Sequence, residues 1–423
     1  MRCVPAFMLV AWVACAPRVV WVGSDPYRRI QAEVRSQGGA QWMRLGGQDQ
    51  EHYQAIGAAG IVFSNDGTRV AYPAERAGRW WMVVDGQPQG PWDGVADPAF
   101  SRDGKHLAFL AEQAGQWRAV VDGVIGPPSP AVQRGTLRFS VNAEHWGYVA
   151  LPKDGCAAIA IDGVVGPCHT AVVSMRVTNL GAAAATVRDG ARFHFLFGEQ
   201  MGPAVDGIGA WAISEDGRRF AYAALEGKRW HAVVDGVSGA PADGVRDFQF
   251  GDEGARLAFV ATDPGRARVV VDGAEGPPFL LVGKPLLAAH GPRVAYSAQD
   301  AQGAWVVVDE DRQGPFAAVL DVVLSGDGRH VAFLARRDGR VRVVHDGVET
   351  PLAVALDHSL VLSADGEHWA VVSGDAAAQQ LWVSIDGKRK VAASSDDVFG
   401  DAQSLRPWVD RTLAAALASP EVP

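Results

Sequence analysis

The chain has 423 residues, of which 48% are hydrophobic and 21% charged, so its composition is that of a globular protein with a sizeable core. Its 39 basic and 48 acidic residues give a net charge of −9, which argues against a general binder of nucleic acid or of anionic membranes. The 49 glycines and 24 prolines indicate many tight turns, and therefore many short strands rather than long helices.

The N-terminal segment has the features of an export signal. A positively charged start precedes an apolar run over residues 4–14, which is too short for a membrane span of about 20 residues. The run ends in Trp-Val-Ala-Cys at 12–15, which resembles the lipobox of bacterial lipoproteins. The resemblance implies a signal peptide over residues 1–14 and a lipidated Cys15 that tethers the chain to a membrane. Secretion with cleavage nearby and an uncleaved anchor are the alternatives.

A short helix is predicted next, within an N-terminal segment that extends from residue 15 to residue 38. Asp25 and Pro26 suit the cap and the first turn of a helix, and Gly38 suits its end. Apolar side chains between these residues share one helical face. This helix is expected to cover one end of the following domain.

An internal repeat of roughly 37 residues organises residues 39–398. One signature is Ser-x-Asp-Gly, two variable residues, and then an apolar residue, alanine and an aromatic residue, with the Ser-x-Asp-Gly part at 64–67, 101–104, 214–217 and 325–328. A second signature, Val-Asp-Gly, recurs downstream of the first, and its aspartates are spaced by 37 from Asp85 to Asp122 and from Asp235 to Asp272. Such a period over most of a chain is a strong sign of a repeat architecture.

Each repeat is predicted to form four short antiparallel strands, A to D. Ser-x-Asp-Gly joins strand A to strand B, and the second Asp-Gly joins C to D, because these residues tolerate the positive φ of tight hairpin turns. A variable polar loop is expected between strands B and C. Nine such units can be counted, and a half unit precedes them at residues 41–47.

Four-stranded units of this size bury both faces only by packing on their neighbours, and a β-propeller is the usual solution. The tandem motif resembles the WD40-like (PD40) repeats of TolB-type propellers, although the family's proline after the serine is replaced here, as by Arg102 and Glu215. The sequence therefore predicts an all-β propeller of eight or nine four-stranded antiparallel blades with short flanking helices.

The C-terminal residues 399–423 are predicted to form a helical tail. They contain an apolar stripe at helical spacing after Ser404. The members of this stripe are Leu405, Trp408, Val409, Leu413 and Leu417. We expect the helix to cover part of the propeller.

Two cysteines, Cys156 and Cys168, each lie six positions from Asp162. If Asp162 lies in a hairpin turn, the two thiols come close to each other across paired strands. A cross-strand disulfide is therefore expected in an oxidising compartment. With only His169 nearby, a zinc site is the weaker alternative.

Basic residues and tryptophans are predicted to share one face of the blades. Because strand direction alternates, the A–B and C–D turns lie on one face, where aspartate serves turn geometry. The B–C and D–A loops lie on the other face, and arginine and tryptophan there suit a binding site. The candidate binding residues are Arg76, Arg79, Lys228, Arg229, Arg266, Arg336, Arg337 and Arg340. The tryptophans of this face are Trp42, Trp80, Trp81, Trp117, Trp230, Trp305 and Trp382. Packing between blades and a solvated rim are the alternative roles of these side chains.

Histidines also recur at one repeat position. They are His106, His145, His330 and His368, and arginine replaces them in other repeats. Equivalent positions in different blades lie too far apart to share an ion, so no metal site and no cofactor are predicted.

The sequence contains no nucleophile elbow, no His-Glu-x-x-His and no phosphate-binding loop. We therefore expect a non-catalytic, exported or envelope-associated monomer that binds a protein or peptide and no nucleic acid. The resemblance to TolB-type proteins implies an envelope complex. An exported glycan-acting enzyme with paired carboxylates in the propeller channel is the alternative.

Overall fold

The computed structural model describes residues 17–24, 31–375, 380–393 and 405–418. Strands make up most of these ranges, and one α-helix among them, α1 (Leu405–Ala418), lies near the C-terminus. In the part of the chain that is described, no helix combines the length and the apolar character of a membrane span. The chain divides into two compact units. Unit 1 ends at Asp154 and also contains Asp162–Val165, and unit 2 comprises Gly155–Ile161 and the chain from Gly166 onward.

The strands of unit 1 form sheets in which neighbours in sequence pair antiparallel. A 3-10 helix (Ala58–Gly60) separates two short pieces of strand A in sheet 2. Sheet 1 contains β1 (Arg18–Ser24), β2 (Gln31–Gln37), β3 (Ala40–Leu45) and β4 (Gln48–Tyr53); sheet 2 contains β5 (Ala55–Ile56), β6 (Val62–Phe63), β7 (Val70–Arg76), β8 (Arg79–Val84) and β9 (Gln87–Trp92); sheet 3 contains β10 (Gly94–Phe100), β11 (Leu107–Gln113), β12 (Gln116–Val121) and β13 (Val124–Ile125).

Sheet 4 follows in chain order, and sheets 5 to 7 belong to unit 2. A second 3-10 helix (Asp252–Gly254) connects the first two strands of sheet 7. Sheet 4 contains β14 (Ala131–Phe139), β15 (Trp146–Lys153), β16 (Cys156–Ile161) and β17 (Val164–His169); sheet 5 contains β18 (Ala171–Val177), β19 (Ala183–Asp189), β20 (Arg192–Phe197) and β21 (Gln200–Met201); sheet 6 contains β22 (Gly207–Ile213), β23 (Phe220–Glu226), β24 (Arg229–Val234) and β25 (Val237–Ala242); sheet 7 contains β26 (Gly244–Gly251), β27 (Arg256–Asp263), β28 (Arg266–Val271) and β29 (Ala274–Glu275).

Unit 2 continues with three more sheets of the same kind. Sheet 8 contains β30 (Leu281–Val282), β31 (Leu286–Leu287), β32 (Val294–Asp300), β33 (Gly303–Val308) and β34 (Asp311–Phe316); sheet 9 contains β35 (Ala318–Leu324), β36 (Val331–Arg337), β37 (Arg340–His345) and β38 (Val348–Leu352); sheet 10 contains β39 (Val361–Leu362), β40 (Trp369–Asp375), β41 (Gln380–Ile385) and β42 (Arg389–Ala393). These sheets confirm the predicted fold class, an all-β protein with the four-stranded antiparallel blades of a propeller.

Sheet 1 differs from the sequence-based expectation. The helix predicted within residues 15–38 is wrong where that segment is described, because β1 and β2 are paired antiparallel strands. Ala32 and Val34 are buried while their neighbours are not, so the apolar pattern has the period of a strand. Asp25 and Pro26, the predicted helix start, lie outside the described residues. The predicted half unit is therefore part of a complete sheet, and the described chain contains ten sheets rather than eight or nine.

The B–C connections also differ from the variable polar loops that we predicted. In sheet 3 a two-residue turn joins β11 to β12, and both Ala114 (φ 53°) and Gly115 (φ 71°) have positive φ. Sheets 2 and 9 have equivalent turns at Ala77-Gly78 and Asp338-Gly339. Since these turns are short, the basic residues beside them lie at the ends of strands and not on long loops.

Successive sheets pack through apolar faces within each unit. Phe248 and Phe259 of sheet 7 pack against Ala221 and Ala223 of sheet 6. The alanine of the repeat motif is fully buried in each of the sheets that carry it, because a small side chain permits close approach of the next sheet. These alanines are Ala71, Ala108, Ala221, Ala258, Ala295, Ala332 and Ala370.

The Ser-x-Asp-Gly turn is held by its buried serine. In sheet 3 the Ser101 hydroxyl donates to Asp103 Oδ1 (2.6 Å) and accepts the backbone N–H of His106 (3.0 Å). The same pair of bonds occurs at Ser64, Ser214, Ser325 and Ser363. The serine therefore joins both arms of the turn, and its hydroxyl lowers the pKa of Asp103 from the usual 3.8.

We expect the free energy of unfolding to decrease in acid because of these turns. Because the folded pKa of Asp103 is below that of the unfolded chain, its contribution is complete above the unfolded pKa of 3.8 and is lost as the pH falls through the folded pKa. Ser101→Ala removes the bond, so the difference in unfolding free energy between about pH 6 and about pH 3 should shrink. Urea unfolding at both pH values measures this difference. An unchanged pH dependence would refute the role of the hydroxyl.

Candidate binding site

The A–B and C–D turns of a blade meet at one edge through an aspartate. In sheet 6, Asp235 has a positive φ (49°) and accepts the backbone N–H of Phe220 (2.9 Å) and Nε of Arg219 (2.9 Å). Equivalent bonds form at Asp85, Asp122, Asp162, Asp272, Asp346 and Asp386. The carboxylates of this edge therefore serve turn geometry, as the sequence indicated.

The residue at the repeat position shared by histidine and arginine pairs with this aspartate. Arg219 also donates to two carbonyls of the next sheet, those of Gly254 and Ala255, at 2.9 Å each. The histidines bond to the aspartate of their own sheet through Nδ1 at 2.7 Å, and they are His106, His145, His330 and His368. The histidines that recur at this repeat position thus form separate His–Asp pairs.

Four of the eight candidate binding cations are held in ion pairs. The arginine that begins strand C binds the aspartate of the following D–A connection, as in Arg79 with Asp93 (2.7 Å) and Arg229 with Asp243. These ion pairs link the start of strand C to the connection that follows strand D. The other two pairs are Arg76 with Glu51 (2.6 Å) and Arg337 with Glu349 (2.6 Å).

The other four candidates are exposed, and in the described ranges no acidic group lies within ion-pair distance of them. They are Lys228, Arg266, Arg336 and Arg340. All four belong to unit 2 and flank the B–C turns of sheets 6, 7 and 9. Their charge is available to an acidic partner.

Most of the candidate tryptophans pack within the protein. Trp42 is buried and stacks on His52 (ring centroids 4.4 Å apart), and Trp230 and Trp305 pack against the cores of their sheets. Trp80 and Trp117 differ, because both line a cleft of about 470 Å³ in unit 1. This volume lies within the usual range of ligand pockets.

The cleft lies where sheets 2 and 3 adjoin β14. Strand β11 places Glu112 directly across from Trp117 of β12, and β8 contributes Trp80. Gly94 has no side chain, which leaves space beside Glu112 and Trp117. A Cβ at this position would lie 3.1 Å from Glu112 Oε2 and 3.5 Å from Trp117 Cη2. The side chains of two sheets therefore converge on one concave surface.

Three charged side chains line this cleft. The Arg134 guanidinium lies over the Trp117 ring, 4.1 Å from its centroid, in a cation–π contact. Asp97 sits at a strand irregularity with a positive φ (50°), and its Oδ2 accepts the backbone N–H of Gly135 at 2.6 Å. Within the described chain, the Glu112 carboxylate has neither a hydrogen-bond nor an ion-pair partner. The cleft thus presents a carboxylate without a partner beside two indoles, together with a guanidinium stacked on one of them.

The two tryptophans were among the candidate residues predicted from the sequence, whereas Glu112, Asp97 and Arg134 were not. The register of β11 and β12, which places Glu112 opposite Trp117, was the available signal. Arg134 comes from another sheet, so only packing brings it to the cleft. A second cavity of about 430 Å³ in unit 2 is lined by small apolar residues with Ser297 and Gln299 and offers no charged group.

Cys156 and Cys168, on β16 and β17, form a disulfide with their Cα atoms 5.1 Å apart. The hairpin turn at Asp162 has the positive φ (49°) of a tight connection. Cys15, the predicted lipidation site, lies outside the described residues.

No protein-family model matches the chain, and no curated protein matches it. Among solved structures, a eukaryotic initiation factor is 13% identical over 75% of this chain and 92% of its own, with a TM-score of 0.42. The Dos1 propeller is 11% identical over 74% of this chain and 88% of its own, with a TM-score of 0.31. TolB from Acinetobacter baumannii is 14% identical over 65% of this chain and 75% of its own, with a TM-score of 0.27. At these identities and TM-scores, the likenesses carry no argument about activity or partner.

Proposed function

We propose that the protein is a non-catalytic binding protein whose cleft in unit 1 receives a basic side chain of a protein or peptide partner. The observation that carries this proposal is the unpartnered Glu112 carboxylate in a cleft lined by Trp80 and Trp117. A lysine or arginine side chain entering the cleft forms a charge-assisted bond with Glu112 and a cation–π contact with an indole.

Charge supports a basic rather than an acidic group at this position. Asp97 and Glu112 contribute two negative charges, and Arg134 contributes one positive charge that already lies over Trp117. The net charge of these three side chains is −1, so the cleft attracts a cation more than an anion, and a cation would also satisfy the Glu112 carboxylate. The exposed cations Lys228, Arg266, Arg336 and Arg340 of unit 2 are proposed to contact acidic side chains of a partner.

A saccharide is the second candidate ligand, because two carboxylates and two indoles line one cleft. Glycoside hydrolysis requires a pair of carboxyl groups that both act on the substrate. Asp97 is occupied by the backbone N–H of Gly135, which leaves Glu112 alone. This bond favours binding over hydrolysis.

We also propose that the repeats are of the WD40-like (PD40), TolB-type kind and that the protein is an exported lipoprotein of the cell envelope. The tandem Ser-x-Asp-Gly motif supports the first part. The disulfide between Cys156 and Cys168 supports an oxidising compartment. The signal peptide and the lipidated Cys15 that this proposal includes lie outside the described residues.

We expect Glu112→Gln to weaken the binding of peptides that carry a lysine or arginine by about tenfold, the effect of about 1.4 kcal/mol. Trp117→Ala should weaken it at least as much, since the indole supplies the cation–π contact. Binding is measured by fluorescence polarisation with a panel of peptides and with matched peptides in which glutamine replaces each basic residue.

Glu75→Gln is the matched control. Glu75 lies opposite Trp80 in β7 and β8 as Glu112 lies opposite Trp117, but it does not line the cleft. It should leave peptide affinity unchanged. Equal affinity for basic and glutamine peptides would contradict the proposal, and binding on a glycan array that Trp117→Ala abolishes would establish the saccharide instead.

A further inference from the structure

Sheet 9 has a histidine where the other repeats that share the turn aspartate have an aliphatic residue. His345 immediately precedes the turn aspartate Asp346. The equivalent residues are Val84, Val121, Ile161, Val234, Val271, Val308 and Ile385. The imidazole is therefore not required by the strand or by the turn, and it calls for another explanation.

The second histidine of this cluster, His330, occupies the repeat position that pairs with the turn aspartate. Its Nδ1 lies 2.7 Å from Asp346 Oδ2, and its Nε2 lies 3.7 Å from Oε1 of Glu367. His345 Nε2 lies 3.6 Å from the same Asp346 oxygen. One ligand atom from each of His330, His345 and Asp346 can be chosen so that all lie within 4.8 Å of one another.

The geometry points to a metal site. We propose that His330 Nδ1, His345 Nε2 and the Asp346 carboxylate bind one divalent transition-metal ion of the Zn²⁺ class, with Glu367 as the outer hydrogen-bond partner of His330. Zinc bonds of about 2.0–2.2 Å place tetrahedral ligand atoms about 3.4 Å apart. The 3.6 Å between His345 Nε2 and Asp346 Oδ2 is close to this separation, and the 2.7 Å hydrogen bond between His330 Nδ1 and the same oxygen must widen when its proton is replaced by the ion.

Burial suits an ion that enters from solvent. The imidazoles of His330 and His345 are 19% and 18% exposed, while Asp346 is 40% exposed. The backbone around them is closely packed, because a Cβ on Gly366 would lie 2.6 Å from Cδ2 of His330. The rings are therefore held in place, and one side of the cluster stays open.

Binding exchanges hydrogen bonds for metal bonds without a change of oxidation state. His345 Nε2 now donates to the carbonyl of Gly366 (2.9 Å), and this proton moves to Nδ1 or to solvent when Nε2 binds the ion. His330 likewise gives up its Nδ1 proton toward Asp346, so that Nδ1 and the Asp346 carboxylate both bind the ion, while Nε2–H faces Glu367 Oε1 (3.7 Å) in the arrangement of a carboxylate–histidine–metal triad.

The site is tested by isothermal titration of the full, untagged chain with ZnCl₂. We expect one Zn²⁺ per chain at this site, and affinity lower by at least tenfold in His345→Val and in His330→Arg. Both substitutions introduce residues that other repeats have at these positions, so folding should be retained, and circular dichroism checks this. A second measurement, the thermal midpoint, should rise with Zn²⁺ in the wild type and not in His345→Val.

His106→Arg is the matched control, because His106 pairs with Asp122 in sheet 3 at the same repeat position and is expected to leave Zn²⁺ affinity unchanged. Equal affinity in wild type and His345→Val would overturn the site. A loss in His106→Arg as large as that in His345→Val would also overturn it, since it would indicate adventitious binding at several His–Asp pairs.

Discussion

Arg406→Ala is expected to lower the free energy of unfolding by about 3 kcal/mol. Arg406 of α1 donates from Nη2 to Oδ1 of Asp321 at 2.5 Å, and the Asp321 side chain is only 4% exposed. Removal of the guanidinium leaves a buried carboxylate whose remaining donors are backbone N–H groups. Urea unfolding, followed by tryptophan fluorescence, measures the loss.

A double-mutant cycle separates this pair from general damage to the helix. Asp321→Asn removes the buried charge. In that variant, Arg406→Ala should therefore lower the free energy of unfolding by less than it does in the wild type. Val409 and Leu413, which anchor α1 on sheet 10, are untouched by both changes. Additive effects of the two substitutions would show that the ion pair does not hold the helix.

Removal of the disulfide is expected to lower the free energy of unfolding by about 3 kcal/mol as well. Cys156 and Cys168 are 12 residues apart in sequence, and closing a loop of this length restricts the unfolded chain. The double variant Cys156→Ala, Cys168→Ala should therefore show a lower urea midpoint than the oxidised wild type.

Reductant provides the control for this prediction. Since Cys156 is buried, its replacement also changes packing, whereas reduction breaks the bond and leaves both side chains. The reduced wild type should unfold close to the double variant. A reduced wild type that is as stable as the oxidised one would contradict a stabilising role of the bond.

The repeat predicted the strands and turns well because these depend on local residues. Asp-Gly turns, buried motif alanines and the A–B turn serine all follow from a few neighbouring positions. The first sheet was missed because its apolar residues were assigned a helical period, although Ala32 and Val34 alternate with more exposed neighbours. The short B–C turns were missed because their sequences vary from one sheet to the next.

The candidate site was predicted only in part. Arg79 and Arg229 were predicted as candidate binding residues, but each binds an aspartate 14 residues later along the chain. The cleft required Trp80, Glu112 and Arg134 to come together from three sheets. Which cations stay free, and which carboxylate lacks a partner, depends on packing.

By itself the sequence determined the repeat, the four-stranded antiparallel sheets and the chemistry of their turns, because hydrogen bonds within one hairpin involve residues close in the chain. Tertiary structure decided the rest. Arg406 and Asp321 are 85 residues apart, and Arg134 of sheet 4 reaches Trp117 of sheet 3 only when the two sheets pack together. Such contacts depend on how whole sheets pack, and this packing cannot be predicted from a short stretch of sequence.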